Sequence, residues 1–130
     1  MVNIPTGLSA TIQQRVDATS TASAMVSGTV DVLGTPELVR MMEAAAVTAL
    51  ADRQPPGSTT VGVAISAHHT APTPIGLTVR VTATLAEVQG RRLKFDIVAH
   101  DDVEQIGYGT HERVLVDAER FMAGAVRKQK

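Results

Sequence analysis

The side chains of this 130-residue chain that are suited to proton chemistry are few, and they fall in three places. Glu43 stands in a segment of helical pattern, His68 and His69 are adjacent at the end of an alternating segment, and His111 and Arg113 flank Glu112 in another. An imidazole and a carboxylate are the parts needed to take up a proton and pass it on. Neighbours on a strand point to opposite faces, so only one of His68 and His69 can share a cavity with a helix. His111 and Arg113 share a face. There Arg113 either holds a buried carboxylate or a phosphate, or forms a surface ion pair. Glu43 lies among Val39, Ala46 and Val47, and two readings stand: a surface pair with Arg40 three positions earlier, or a carboxylate facing a cleft, placed to exchange a proton with a substrate or a histidine.

Composition removes several classes of function. With no cysteine the chain makes no disulfide, thiol nucleophile or thiolate zinc site, and a reducing compartment, the cytoplasm, is expected. Four histidines without a His-Glu-x-x-His motif, two of them adjacent on a strand, predict no metal centre. Gly107-Tyr108-Gly109 lies inside a strand pattern and reads as a bulge or a close backbone approach, not as a dinucleotide fingerprint. Twelve Lys and Arg against 13 Asp and Glu, a net charge of −1, provide no field for nucleic acid or an anionic membrane. Base stacking is equally poorly served by Phe95, Tyr108 and Phe121, the three aromatic residues. No basic residue precedes Arg15, and no apolar run approaches the roughly 20 residues of a membrane span, so neither a leader nor an anchor is expected.

The elements that must position these residues read as one domain over 1–130. Gly34-Thr35-Pro36-Glu37 is a helix start, with Thr35 as N-cap, proline in the first turn and an acid at the positive end of the dipole. The helix runs to about Asp52, before Pro55-Pro56-Gly57. Its two apolar stripes, Leu38/Met41/Met42/Ala45/Ala49 and Val39/Ala46/Val47/Leu50, predict a helix wrapped by other elements. Four strands follow, Thr59 to His68, Leu77 to Val88, Arg92 to Ala99 and Ile106 to Val116, with hairpins at Gln89-Gly90 and Asp101-Asp102. Thr11 to Val16 reads as a further strand, Ala22 to Leu33 as a short strand or irregular segment, and Glu119 to Lys130 as a terminal helix with a basic tail. The class is α+β, a curved antiparallel sheet around a central helix in the hot-dog arrangement, and the open sheet edge predicts a homodimer, or a tetramer built from it.

Beyond this reading, the sequence resembles the fluoroacetyl-CoA thioesterase family of hot-dog proteins. Gly62-Val63-Ala64-Ile65, His69-Thr70-Ala71, Gly76-Leu77-Thr78-Val79, Gly90-Arg91-Arg92-Leu93, Ala99-His100-Asp101 and Gly109-Thr110-His111-Glu112-Arg113 follow its pattern in order. The match runs from Thr35 almost to the C-terminus. The resemblance implies thioester hydrolysis by Thr35, Glu43 and His69, which selects His69 over His68, with Gly62 near the acyl group, Arg113 at the site and no cofactor. It implies sites at a dimer interface and an acyl-CoA substrate whose phosphates have Arg91, Arg92, Arg127, Lys128 and Lys130 available. About 12 Å of helix axis separates Thr35 from Glu43, so either the acyl group lies along the helix or a dimer brings one of the two from the partner chain. One departure concerns specificity: the family's aromatic lid has no counterpart, since no Phe, Tyr or Trp occurs from Met1 to Lys94. The expected activity is therefore hydrolysis of a short-chain acyl-CoA, fluoroacetyl-like or otherwise. The alternative is a non-catalytic protein that binds an acyl-CoA or another small ligand.

Overall fold

The computed structural model of the protein describes residues 3–129. Its elements in chain order are β1 (Ser9–Arg15), α1 (Thr35–Leu50), β2 (Ser58–His69), β3 (Thr78–Gln89), β4 (Arg92–His100), β5 (Gln105–Asp117) and α2 (Ala118–Val126), with short 3₁₀ turns at Ala18–Ser20 and Arg127–Gln129. The five strands form one sheet in the order β1-β3-β4-β5-β2, antiparallel at every pairing.

Alternation builds the core. Val79, Val81, Ala83 and Leu85 of β3 and Leu93, Phe95, Ile97 and Ala99 of β4 are buried on the face that meets Leu38, Met41, Met42, Ala45, Ala46 and Leu50 of α1. Each fully buried Val, Leu, Ile, Met or Phe among them contributes about 1.5–3 kcal/mol against exposure, so the helix and the curved sheet hold each other. The expected α+β wrap is present. The other side of α1 is open: Val47 and Thr48 are exposed, and Glu43 and Ala44 are half-buried. The wrap is thus one-sided within this chain. No helix among the described residues is long and apolar enough to cross a membrane.

Strand β2 lies at an edge, hydrogen-bonded on one side to β5. Its residues Gly62 to Ser66 are all exposed, Val63 and Ile65 included, and the ladder shifts between Gly62 and Ala64 in a bulge. Gly109 is required by the β2–β5 spacing, because a Cβ there would strike the Ser66 carbonyl.

Two expectations are corrected and one open choice is decided. The first strand runs over Ser9–Arg15 instead of Thr11 to Val16, because Ser9 and Ala10 extend the ladder to Thr84 and Ala83 of β3 and the pairing ends at Arg15 with Thr78. Of the two readings of residues 22–33 the irregular segment is the one observed, held by isolated bridges of Thr21 with Leu33 and Val32 with Pro74. The N-cap of α1 is Gly34, without a side-chain bond, since the Thr35 hydroxyl is engaged elsewhere. The terminal helix closes with the expected basic turn, and Lys130 lies outside the described residues.

The first turn of α1 is tied to β1 by a buried acid. Glu37 accepts from Arg40 Nε at 2.8 Å and from Gln14 Nε2 at 2.6 Å, and the Arg40 bond is the main reason that its carboxyl lies below the ordinary value. A depressed carboxylate contributes stability that is complete above its unfolded pKa of about 4.3 and is lost as pH falls through the folded value. Glu37→Gln is expected to cost about 1 kcal/mol at pH 7 in urea denaturation, and the gap to the parent protein should narrow below pH 4.

Candidate functional site

The sheet and helix bring the expected residues together as two groups. In the first, the N-terminus of α1 meets the end of β2. Thr35 Oγ1 lies 2.7 Å from His69 Nδ1, and His69 Nε2 is buried with no hydrogen-bond partner among the described residues. Burial of the ring also lowers the pKa of His69, which favours the neutral base. His68, on the other face, is exposed and stacks on Tyr108 with ring centroids 4.8 Å apart. Strand alternation alone left the choice open, and the geometry pairs His69, not His68, with the helix.

A cavity of about 300 Å³ opens at this pair. Thr35 and His69 line it together with Ala22, Val30, Leu33 and Pro72. The irregular 22–33 segment is thus its wall. No aromatic residue contributes to it.

The second group surrounds Gly62. Arg113 is buried, and its guanidinium donates from Nε to Thr60 Oγ1 at 2.9 Å, from Nη2 to the Thr60 carbonyl at 3.0 Å and from Nη1 to His111 Nε2 at 3.0 Å. The third neighbouring residue is Glu43, whose Oε2 stands 3.9 Å from Arg113 Nη1 on a half-exposed side chain. Glu43 therefore does not make the surface pair with Arg40 that the helix spacing allowed, because Arg40 is turned to Glu37. A Cβ on Gly62 would sit 3.1 Å from His111 Cε1, 3.2 Å from Glu43 Oε2 and 3.3 Å from Arg113 Nη1, so the missing side chain is what keeps this cradle open.

His111 is the residue that sequence reasoning left without a role. Its Nδ1 lies 2.8 Å from the Ala64 carbonyl, an acceptor, and its Nε2 faces a guanidinium, a donor, so its partners select the neutral Nδ1–H tautomer. Burial, with the Arg113 charge adding to it, lowers its pKa against the opposing pull of Ala64 and Glu43. The signal in the sequence was the shared face of His111 and Arg113, which becomes informative only once β5 is laid beside Thr60, Gly62 and Ala64 of β2.

The comparisons were made with this geometry in hand. A family model described as fluoroacetyl-CoA-specific thioesterase matches residues 16–119. A curated fluoroacetyl-CoA thioesterase of Streptantibioticus cattleyicolor is 48% identical over 98 residues, 75% of this chain and 70% of the relative. A crystal structure of a mutant of the fluoroacetyl-CoA thioesterase in complex with acetyl-CoA superposes with a TM-score of 0.90 at 38% identity, covering 98% of this chain and 100% of the other. A hot-dog-like protein of Thermanaerovibrio acidaminovorans gives a TM-score of 0.88 at 25% identity over 95% of this chain and 92% of the other.

Replacing His111 by leucine removes the acceptor of a buried guanidinium and the donor to the Ala64 carbonyl. Such a loss costs about 2 kcal/mol. His68→Leu, at an exposed position, should stay within about 0.5 kcal/mol of the parent protein. Urea denaturation of the two variants at pH 7 measures the difference.

Proposed function

The chain belongs to the fluoroacetyl-CoA-specific thioesterase family, with its hot-dog fold, and from that premise we propose that it hydrolyses a short-chain acyl-CoA to the free acid and CoA, with Thr35, Glu43 and His69 as catalytic residues. The observation that carries this reading is the 2.7 Å contact of Thr35 Oγ1 with His69 Nδ1 beside a cavity. Neutral His69 takes a proton at Nδ1, either from the Thr35 hydroxyl as it attacks the thioester carbonyl or from a water held by that hydroxyl. The positive end of α1 favours the oxyanion that develops there. His69 then returns the proton to the departing thiolate, and in the threonine route a water completes hydrolysis of the acyl ester. Glu43, with Gly62 and Arg113, forms the complementary part that orients the acyl group or activates the water.

The small aliphatic wall of the cavity suits a short acyl chain. A relative solved in complex with acetyl-CoA supports the same substrate class. The reading places the protein in the cytoplasm, as a single domain working without a cofactor.

We further propose that the active form is a homodimer through the β2 edge. Eight helical residues set Thr35 about 12 Å from Glu43 along α1. Antiparallel pairing of β2 with a second β2 would lay the His69 end of one chain toward the Gly62 region of the other. The exposed Val63 and Ile65 and the open side of α1 at Val47 support this. The unpaired donors and acceptors of that edge are satisfied in the same step. Each of the two sites then draws Thr35 and His69 from one protomer and Glu43, Gly62 and Arg113 from its partner.

His69→Ala is expected to lower kcat for acetyl-CoA by about 10³-fold, followed as release of free thiol. Because the folded pKa of His69 is depressed, the acid limb of kcat/KM should fall below about pH 6.5, the ordinary histidine value, with a plateau above it. Complementation tests the shared site. Thr35→Ala and Glu43→Gln homodimers, each inactive, should on refolding as an equal mixture recover about a quarter of the parent activity, since half the dimers are mixed and each of those holds one intact site of two. No recovery would place all three residues of a site within one protomer.

A further inference from the structure

One buried titratable side chain takes no part in the chemistry above. His111, in the middle of β5, is 2% exposed, and its ring stands between the Ala64 carbonyl of the edge strand and the guanidinium of Arg113. Leucine would fill the same space, and what the imidazole adds is an acceptor. Arg113 carries five N–H donors in one plane. Nε and one hydrogen of Nη2 are taken by Thr60, and one hydrogen of Nη1 goes to His111 Nε2 at 3.0 Å. The guanidinium is thereby held on two sides, by β2 through Thr60 and along β5 through His111.

The consequence falls on Glu43. An arginine and a carboxylate that can approach each other close to about 2.7–2.9 Å, commonly with two parallel bonds. Glu43 Oε2 stands 3.9 Å from Arg113 Nη1, within attraction but outside hydrogen-bond distance. The space over Gly62 lies between them, since a Cβ there would be 3.2 Å from Glu43 Oε2, 3.3 Å from Arg113 Nη1 and 3.1 Å from His111 Cε1. This opening has a carboxylate on one side, a guanidinium on another and the imidazole on the third. It persists as long as Arg113 is held back from Glu43.

The hold depends on a proton. His111 accepts from Arg113 only while Nε2 carries no hydrogen, and the Ala64 carbonyl keeps the one ring hydrogen at Nδ1. A second proton would set N–H against N–H and bring two cations together, and Glu43 is the carboxylate within 4.0 Å of that guanidinium. Among the described residues the charged groups that face the ring are Arg113 on its own strand and Glu43 from α1. From β2 come the Ala64 carbonyl and Gly62, and from β4 comes Phe95, its ring centroid 6.4 Å away. Burial, with the Arg113 charge adding to it, lowers the pKa of His111, so the accepting form prevails at neutral pH.

We propose that His111 is a positioning residue: its neutral ring holds Arg113 short of Glu43, so that carboxylate and guanidinium both face the opening over Gly62, and a proton on the ring releases Arg113 to pair with Glu43 and closes that opening. The proposal rests on the acyl-CoA reading and deepens it by naming what keeps the Glu43 part of the site open. It also gives that part a dependence on pH of its own, separate from the titration of His69.

His111→Gln and His111→Asn separate the two ring nitrogens. The glutamine oxygen reaches the place of Nε2 and accepts from Arg113 at every pH, whereas the asparagine amide reaches only the place of Nδ1 and serves the Ala64 carbonyl. Circular dichroism and urea denaturation establish that both variants are folded. At pH 7 the glutamine variant should keep kcat for acetyl-CoA within about threefold of the parent protein, and the asparagine variant should lose about tenfold or more. Toward low pH, kcat/KM of the parent should fall with a limiting slope of two, one proton for His69 and one for His111, and that of the glutamine variant with a slope of one. Equal kcat in the two variants, or a slope of two retained by the glutamine variant, overturns the proposal. The side-chain NMR signals of isotope-labelled protein give an answer without turnover: those of Arg113 should move as His111 takes up its proton, and should not move over the same range in His111→Gln. Arg113 signals that stay fixed while His111 titrates overturn the proposal. If the parent protein hydrolyses no acyl-CoA while the two sets of signals move together, the hold of His111 on Arg113 stands and it is the thioesterase reading that fails.

Discussion

A guanidinium removed from water must have its donors satisfied, and Arg113 imposes that requirement on the middle of this molecule. Its solution uses Thr60 twice, through hydroxyl and carbonyl, and His111 once. The histidine can accept only while its other nitrogen donates, and the Ala64 carbonyl receives that bond. Ala64 lies just beyond the bulge that begins at Gly62, so the irregular stretch of β2 and the charge of β5 belong to one network. Half-satisfied networks of this kind are costly, which is why each member restricts the others. Glu43 is the one charged neighbour left half in solvent, at a distance where attraction to the guanidinium remains but no close pair forms.

This arrangement divides the polar chemistry of the protomer in two. Thr35 and His69 need nothing from Arg113, and their bond closes locally between a helix start and a strand end. Glu43 and Gly62 belong to the guanidinium's surroundings. The lone nitrogen of His69 and the open side of β2 are both what a molecule looks like when part of its environment is supplied from outside the chain. This chain covers its helix from one side, and in the proposed homodimer the second copy covers the rest.

Much of the architecture was legible because it follows from local rules. Alternation in β3 and β4 and the Pro55-Pro56-Gly57 stop depend on neighbours within a few positions. Thr35 shows the limit of such rules: the residue types that cap a helix are those that can attack a carbonyl, and the helix start was read correctly while the cap was assigned one residue too late. Which histidine meets the helix depended on the face that β2 turns to α1, and alternation determines that two faces exist without saying which is inward. The Arg113 network was out of reach, since Thr60 is 53 positions away and its role is visible only in the register of β2 against β5.

The wall of the cavity is the least regular part of the described chain, and that has a consequence for how such a protein can change. Residues 22–33 are attached by two isolated bridges and a handful of turn bonds, with Val26 alone among the described non-glycine residues at a positive φ, of 55°, and its side chain in solvent. No pleat dictates which of its positions face inward, so an insertion, a deletion or a bulkier residue there alters the space beside Thr35 without moving a strand out of register. Under the proposed activity, the residues that break the bond and the surface beside the acyl chain thus sit on different mechanical foundations. One is fixed by the sheet and the other is free to drift, so a lineage could exchange one small acid for another while inheriting the same reaction.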